Sequence, residues 1–317
     1  MKVLIAMQIE DEALKFLESA APEWEYAIKD PGKLHRDDCT DADIIIGTVN
    51  ARCLEGLENL QLLQLDFAGS DNYARLPLFQ GEDAPILTNA SGAFGVTISE
   101  HMIGGLLYLL RGFGIYHEQQ KAHSWEKSFV PGLICGKKAL VLGLGDIGGN
   151  FAARMNALGC SVVGIKRTPG EVPEYVESVH TMKDLDALLP EADFVACCLP
   201  NAVGTQKVID EHALSLMKKD AIVLNVGRGK AIDTDALADA LNKGVIGGAV
   251  IDVTDPEPLP TDHALWDAPN CLITPHVSGL SIQGDPMQRI LEIAWRNLKN
   301  YHDGLPLENV VNVSLGY

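Results

Sequence analysis

Positive charge is in short supply: 25 Lys and Arg stand against 43 Asp and Glu, a formal net charge of −18. Such a molecule repels phosphate backbones and offers no basic field to nucleic acid or to an anionic membrane, so any anion it binds must be captured locally. Paired cysteines are lacking as well. Cys39, Cys53, Cys135, Cys160, Cys197, Cys198 and Cys271 are odd in number, scattered, and form no C-x-x-C pair. That argues against a disulfide frame or a zinc site and for reduced thiols in a cytoplasmic protein. The nine histidines show no metal-ligand spacing either, and no metal is expected.

Long apolar runs are missing. The most hydrophobic stretch, Met102 to Leu110, lies between His101 and Arg111, well short of the ~18 residues a membrane span needs. The apolar run Val3 to Met7 is shorter than the roughly 7 to 15 residues of a secretory signal, so no export signal is read. Solenoid-period repeats and low-complexity tracts are absent too.

What is present is an alternation of short β-branched or leucine-rich runs with helix-period segments, the pattern of βαβ units and an α/β fold. Strands are expected at Lys2 to Ala6, Asp43 to Ile46, Leu62 to Phe67 and Ile86 to Thr88. A second series is expected at Ala139 to Leu142, Ser161 to Ile165, Phe194 to Cys198, Ile222 to Val226, Gly248 to Ile251 and Leu272 to Thr274. Between the series, Thr97 to about Gln120 reads as one long helix crossing between domains. A last helix, Ile282 to about Asn300, is expected to return to the first domain. The expected architecture is two doubly wound parallel-sheet domains. A Rossmann cofactor domain, 96–282, is inserted into a discontinuous flavodoxin-like substrate domain, 1–95 and 283–317. Hinges are expected near Ala93 to Gly95 and Gly279 to Gly284.

The segment ALVLGLGDIGGNFAARMNALG carries G-x-G-x-x-G as Gly143, Gly145 and Gly148, where a strand ends and a helix begins. Gly143 permits the tight turn, Gly145 lets backbone approach a pyrophosphate, and Gly148 lets helix and strand pack closely. At the tip of the next strand, where an NAD site places an acid for the ribose 2′-hydroxyl, stand Lys166, Arg167 and Thr168. A carboxylate would repel a 2′-phosphate, whereas two cations and a hydroxyl would bind it, so NADP(H) is expected over NAD(H). Asp146, Ile147, Leu199, Pro200, Val226 and Asp252 complete the expected cofactor set.

Three loops after late strands each carry one reactive residue: Arg228 in LNVGRGKAID, Glu257 in VIDVTDPEPLP and His276 in LITPHVSG. Ligands of open α/β sheets bind outside the carboxyl ends of strands, so the three can converge there. With FAGSDN (67–72), GLGDIG (143–148), NVGRG (225–229), AVIDVTDPEPLP (249–260) and TPHVSG (274–279), the chain resembles the D-isomer-specific 2-hydroxyacid dehydrogenase family. That group includes glyoxylate/hydroxypyruvate reductases and phosphoglycerate dehydrogenases, and the resemblance runs over nearly the whole sequence. It implies a catalytic arginine at Arg228, a glutamate at Glu257, an acid/base histidine at His276, Asp252 near the nicotinamide amide, and a homodimer.

The reaction implied is reduction of a small 2-keto acid to a D-2-hydroxy acid. Hydride arriving at a carbonyl carbon leaves negative charge on oxygen, so a proton donor must stand there, and His276 is that acid. A carboxylate beside it favours imidazolium and fixes the tautomer, the part expected of Glu257. Arg228 is expected to bind the substrate carboxylate and polarise the carbonyl. The FAGSDN loop is expected to present the N–H groups of Gly69 and Ser70 as an anion nest for that carboxylate. The family usually has a small residue where this chain has Phe67, which either narrows the pocket or packs beneath it. Gln8, Thr48, Tyr73 and Met287 are further candidates for shaping the pocket, and Trp125 for packing or a subunit interface. A cofactor-sensing binding protein of the corepressor type would share the fold and these residues. The net charge and the lack of sequence beyond the two domains favour the enzyme. The sequence does not choose among glyoxylate, hydroxypyruvate, pyruvate or a bulkier aryl keto acid.

Overall fold

Runs that are apolar at every position, rather than at alternate ones, mark strands buried on both faces of a parallel sheet. Ile44, Ile45 and Ile46 are all fully buried, and each such side chain contributes about 1.5–3 kcal/mol by leaving water. A computed structural model of the chain describes residues 1–168, 170–202, 204–280 and 285–316. It divides into two compact units, Met1–Phe94 with Ser281–Tyr317, and Gly95–Leu280. The sequence places the breaks at 95/96 and 282/283. Residues 281–284 of the second expected hinge lie outside the described residues.

The first unit holds β1 (Lys2–Ala6), β2 (Glu25–Ile28), β3 (Ile44–Gly47), β4 (Leu62–Gln64) and β5 (Ile86–Thr88). They form one parallel sheet in the order β2-β1-β3-β4-β5, the flavodoxin-like winding. Its core gathers Leu4, Ile45, Leu63, Phe79, Leu87 and Val311. The first labelled helix, α1 (Asp11–Glu18), stacks Phe16 on Trp295, with ring centroids 5.8 Å apart. Buried Asn297 donates to Gln64 Oε1 at 2.6 Å and accepts from the Glu308 N–H at 2.7 Å. Val311 N–H donates to Leu87 O. The C-terminal segment is thus fastened to the sheet by buried hydrogen bonds, which are costly to leave unmade.

The second unit begins with α2 (Gly95–Leu110) and α3 (Phe113–Lys121). Its strands are β6 (Lys138–Leu142), β7 (Ser161–Ile165), β8 (Ser178–His180), β9 (Phe194–Cys197), β10 (Ile222–Asn225), β11 (Gly248–Ile251) and β12 (Cys271–Ile273). They pair in parallel in the order β12-β11-β10-β9-β6-β7-β8, the Rossmann order with one added strand. Helix α4 (Asp146–Ala157) follows β6, and α5 (Asp285–His302) belongs to the first unit.

Three expectations are corrected. The single long helix is two, because Gly112 takes a left-handed φ of +64° and Phe129 packs where a Cβ would project. Only glycine adopts that conformation without strain. Strands β2 and β8 were not foreseen. Both lie at sheet edges with little burial, so their residues carry almost no apolar pattern. Strand β4 ends at Gln64 rather than Phe67, where the chain turns into the FAGSDN loop.

Candidate active site

The dinucleotide turn is built as its glycines demand. Gly143 takes φ +92°, and a Cβ there would lie 2.8 Å from Cys198 O. A Cβ on Gly148 would run into the Gly143 carbonyl, while one on Gly145 would project into open space. Two glycines therefore serve packing, and the third keeps an approach clear at the start of α4. Gly145 caps that helix with no side chain to occupy the first-turn N–H groups, an anion-binding arrangement. This cradle fits a dinucleotide pyrophosphate. The Asp146 carboxylate turns away from it, accepting from Gly95 N–H at 2.8 Å and Asn150 Nδ2 at 3.2 Å. Asp146 is left with its main chain for any cofactor role. Lys166 follows β7 directly and is half-buried, and Arg167 and Thr168 are exposed beside it. Leu199 and Val226 are buried just beyond β9 and β10. Pro200, beside Leu199, has its carbonyl held by the Thr205 hydroxyl at 2.7 Å.

Arg228, Glu257 and His276 follow β10, β11 and β12 in turn. Buried Asn225 braces the first loop, accepting from Gly227 N–H and donating to Arg228 O, both at 3.2 Å. A Cβ on Gly229 would run into the Thr254 carbonyl, so the loops carrying Arg228 and Glu257 lie in direct contact. The Thr234 hydroxyl donates to Asp255 O at 2.9 Å and fixes the second loop.

His276 has a left-handed φ of +53°, uncommon for a residue with a Cβ and a form of strain that persists where surrounding bonds impose it. Those bonds come from Asp252, whose carbonyl accepts the His276 N–H at 2.8 Å. Its carboxylate accepts Val277 N–H at 2.9 Å, Ser278 N–H at 3.1 Å and the Thr274 hydroxyl at 2.5 Å. Burial by itself would raise the Asp252 pKa, but hydrogen bonds from Ser278, Thr274 and Val277 outweigh it and hold the carboxyl below its usual range. The clamp sets His276 Nδ1 at 2.6 Å from Glu257 Oε1. A carboxylate only accepts, so Nδ1 carries the proton, and Nε2 is the nitrogen left for a reactant. Both side chains are about half exposed.

In the first unit, the N–H groups of Gly69 and Ser70 donate to no group among the described residues. Ser70 is buried, its hydroxyl 3.3 Å from Gly316 O. Phe67 packs on Tyr73, centroids 5.8 Å apart, and both pack against the core. Thr48 and Tyr73 line a pocket of about 470 Å³.

Three residues lay outside the sequence reading. His101 approaches Thr274 Oγ1 at 3.1 Å, and neither its spacing nor its neighbours in sequence signalled that. Thr274 was only a letter of TPHVSG, although a small polar residue at a strand end is a frequent hydrogen-bonding device. Asp66 receives the Thr48 hydroxyl at 2.7 Å, and its burial pushes the carboxyl pKa up.

Residues 103–278 match the family described as D-isomer specific 2-hydroxyacid dehydrogenase, NAD binding domain. The chain belongs to this family. It is 30% identical to a D-3-phosphoglycerate dehydrogenase of Methanocaldococcus jannaschii over 98% of its own length and 59% of that protein's. A solved D-isomer specific 2-hydroxyacid dehydrogenase family protein of Aeromonas salmonicida superposes with a TM-score of 0.86 at 30% identity, covering 98% of this chain and 99% of the other. An NADPH-dependent glyoxylate/hydroxypyruvate reductase of Sinorhizobium meliloti, solved with NADP and sulfate, gives 0.83 at 25% identity over 100% and 99%. The chain is thus a 2-hydroxyacid oxidoreductase working with a nicotinamide dinucleotide.

Proposed function

We propose that the protein reduces a small 2-keto acid to the D-2-hydroxy acid, with NADPH preferred over NADH. The observation that carries this reading is the His276–Glu257 pair, 2.6 Å between Nδ1 and Oε1, with no partner on Nε2 among the described residues. When bound, the reduced cofactor supplies the hydride. The negative charge that reduction places on the carbonyl oxygen requires a proton, and imidazolium His276 delivers it from Nε2. Glu257 holds the ring and balances the charge of the imidazolium before the transfer. Arg228 binds the substrate carboxylate and polarises the carbonyl, with Gly69 and Ser70 N–H groups as further carboxylate donors. In this reading residues 95–280 bind the dinucleotide through Gly143, Gly145, Asp146, Ile147, Gly148, Leu199, Pro200, Val226 and Asp252. The first unit is proposed as the substrate domain.

Lys166, Arg167 and Thr168, with no carboxylate among them, support the choice of NADPH. The Sinorhizobium meliloti reductase, NADPH-dependent by its description, supports it too. A homodimer is proposed through 108–133, where Trp125 is 98% exposed, Val130 90%, Leu133 59% and Phe113 54%; large apolar surface of this kind marks an interface. The seven unpaired cysteines suit a cytoplasmic setting. The net charge of −18 suits neither nucleic acid nor anionic lipid as partner.

The test is turnover of glyoxylate, hydroxypyruvate, pyruvate and an aryl 2-keto acid with each cofactor, with chiral analysis of the product. His276→Ala should abolish reduction while NADPH still binds. Near wild-type activity in that variant would refute the proton-donor assignment.

A further inference from the structure

Proton accounting around Asp252 gives His101 a role. The Asp252 carboxylate receives the Thr274 hydroxyl at 2.5 Å and Val277 N–H at 2.9 Å on Oδ1, and Ser278 N–H at 3.1 Å on Oδ2. Every hydrogen-bond neighbour among the described residues is a donor, so the group is the anion, and the single hydroxyl proton of Thr274 is committed to it. On the other side of Thr274, His101 Nε2 lies 3.1 Å from Oγ1. With its proton spent, Oγ1 can only accept, so Nε2 of His101 must bear a hydrogen. The result is a chain of one polarity, His101 Nε2–H to Thr274 O–H to Asp252 carboxylate, in which each bond strengthens the next.

His101 reaches this place because α2 lies on β11. A Cβ on Gly105, one turn along α2, would meet the Val250 side chain, and this close approach brings the imidazole to the carboxyl ends of β11 and β12. Its Nε2 is 3.9 Å from Asp252 Oδ1 and its side chain is three-quarters buried. Asp252 in turn holds His276 through its main-chain carbonyl and the two following residues through its carboxylate.

We infer that His101 is a positioning residue, which through Thr274 fixes the Asp252 carboxylate and with it the strained turn that presents His276. The inference rests on His276 as the proton donor proposed above. His101 touches neither reactant nor cofactor in this role. It sets how accurately the acid is aimed.

The direct test is the tautomer of His101 in the wild-type protein, read from two-dimensional ¹⁵N–¹H spectra of protein labelled in its imidazole rings and assigned with His101→Gln. Neutral His101 should carry its proton on Nε2. An Nδ1–H tautomer overturns the inference whatever the enzyme's activity.

The functional test compares His101→Leu, which removes the donor, with His101→Gln, whose amide N–H can replace Nε2–H, and Thr274→Val, which removes the relay. His101→Leu and Thr274→Val should each lower kcat about tenfold, the scale of a modest misalignment of a catalytic group, with KM for the keto acid within about twofold. The glutamine variant should recover to within about threefold of wild type. The double variant His101→Leu/Thr274→Val should lose no more than the worse single one, because the two act on one chain. Wild-type kcat in His101→Leu, or a glutamine variant as poor as the leucine one, refutes the positioning role. If the wild type reduces no 2-keto acid, the proposed function fails, while the tautomer measurement still decides the relay.

Discussion

Glu257 Oε1 sits 2.6 Å from Nδ1 of His276, an arrangement in which a carboxylate both orients an imidazole and balances its charge. Glu257→Gln preserves an acceptor oxygen and removes the charge. Its kcat should fall about a hundredfold, the lower range for disabling a general acid, while NADPH affinity stays within about twofold. Steady-state kinetics with cofactor fluorescence titration checks both. Unchanged kcat would mean the charge is not needed.

Gly229 touches the carbonyl of Thr254 so closely that no Cβ fits. Gly229→Ala must push the Arg228 loop off the Glu257 loop, at a cost of about 1–3 kcal/mol for overpacking. Denaturant melts should show the loss of stability, and kcat/KM should fall further than the melting point suggests. A variant with wild-type stability and activity would show that the loops part freely.

Asp66 bears on stability with a definite sign. Burial raises its carboxyl pKa, and the Thr48 hydroxyl offsets this only in part. Its contribution to stability is fully present below the usual carboxyl pKa of about 4 and is lost as pH rises through the raised folded value. At neutral pH the ionised form is a net cost, so Asp66→Asn should melt no lower than wild type at pH 7. It should also show a flatter dependence of stability on pH through the acid range. A lower melting point at pH 7 would show that the ionised Asp66 carboxylate makes a net stabilising contact and refute the sign assigned to its burial.

Lys166 heads the run that stands in for an NAD-type acid. Lys166→Asp should repel a 2′-phosphate and offer an acceptor to a 2′-hydroxyl, shifting the ratio of kcat/KM for NADPH over NADH toward NADH by about tenfold or more. An unchanged ratio would move cofactor choice to Arg167 and Thr168.

The central strands and the glycine turn were legible because burial on both faces and close backbone packing restrict composition at nearly every position. Ile44 to Ile46 and Gly143 to Gly148 carry their structure in their letters. The catalytic candidates were legible as loops after strands, and His276 and Glu257 do meet. What escaped depended on partners far along the chain. The edge strands Glu25–Ile28 and Ser178–His180 are specified by one neighbour each rather than by their own pattern. His101 gains meaning only from Thr274, 173 residues on. Asn297 would be an oddity on a buried helix face without Gln64 and Glu308. The break at Gly112 was hidden because the apolar residues on either side continue a helical rhythm.

The buried bonds from Asn297 and Val311 to the first sheet also order events during synthesis. Strands β1 to β5 leave the ribosome before residues 95–280, yet Asn297, Glu308 and Val311, which close over Gln64 and Leu87, are translated after them. The intervening residues 95–280, with both sheet and helices in hand, can fold as a unit while the opening segment still waits. For the translation time of some two hundred residues, the segment made before residues 95–280 is the part with apolar surface uncovered. It is there that a chaperone would find its work.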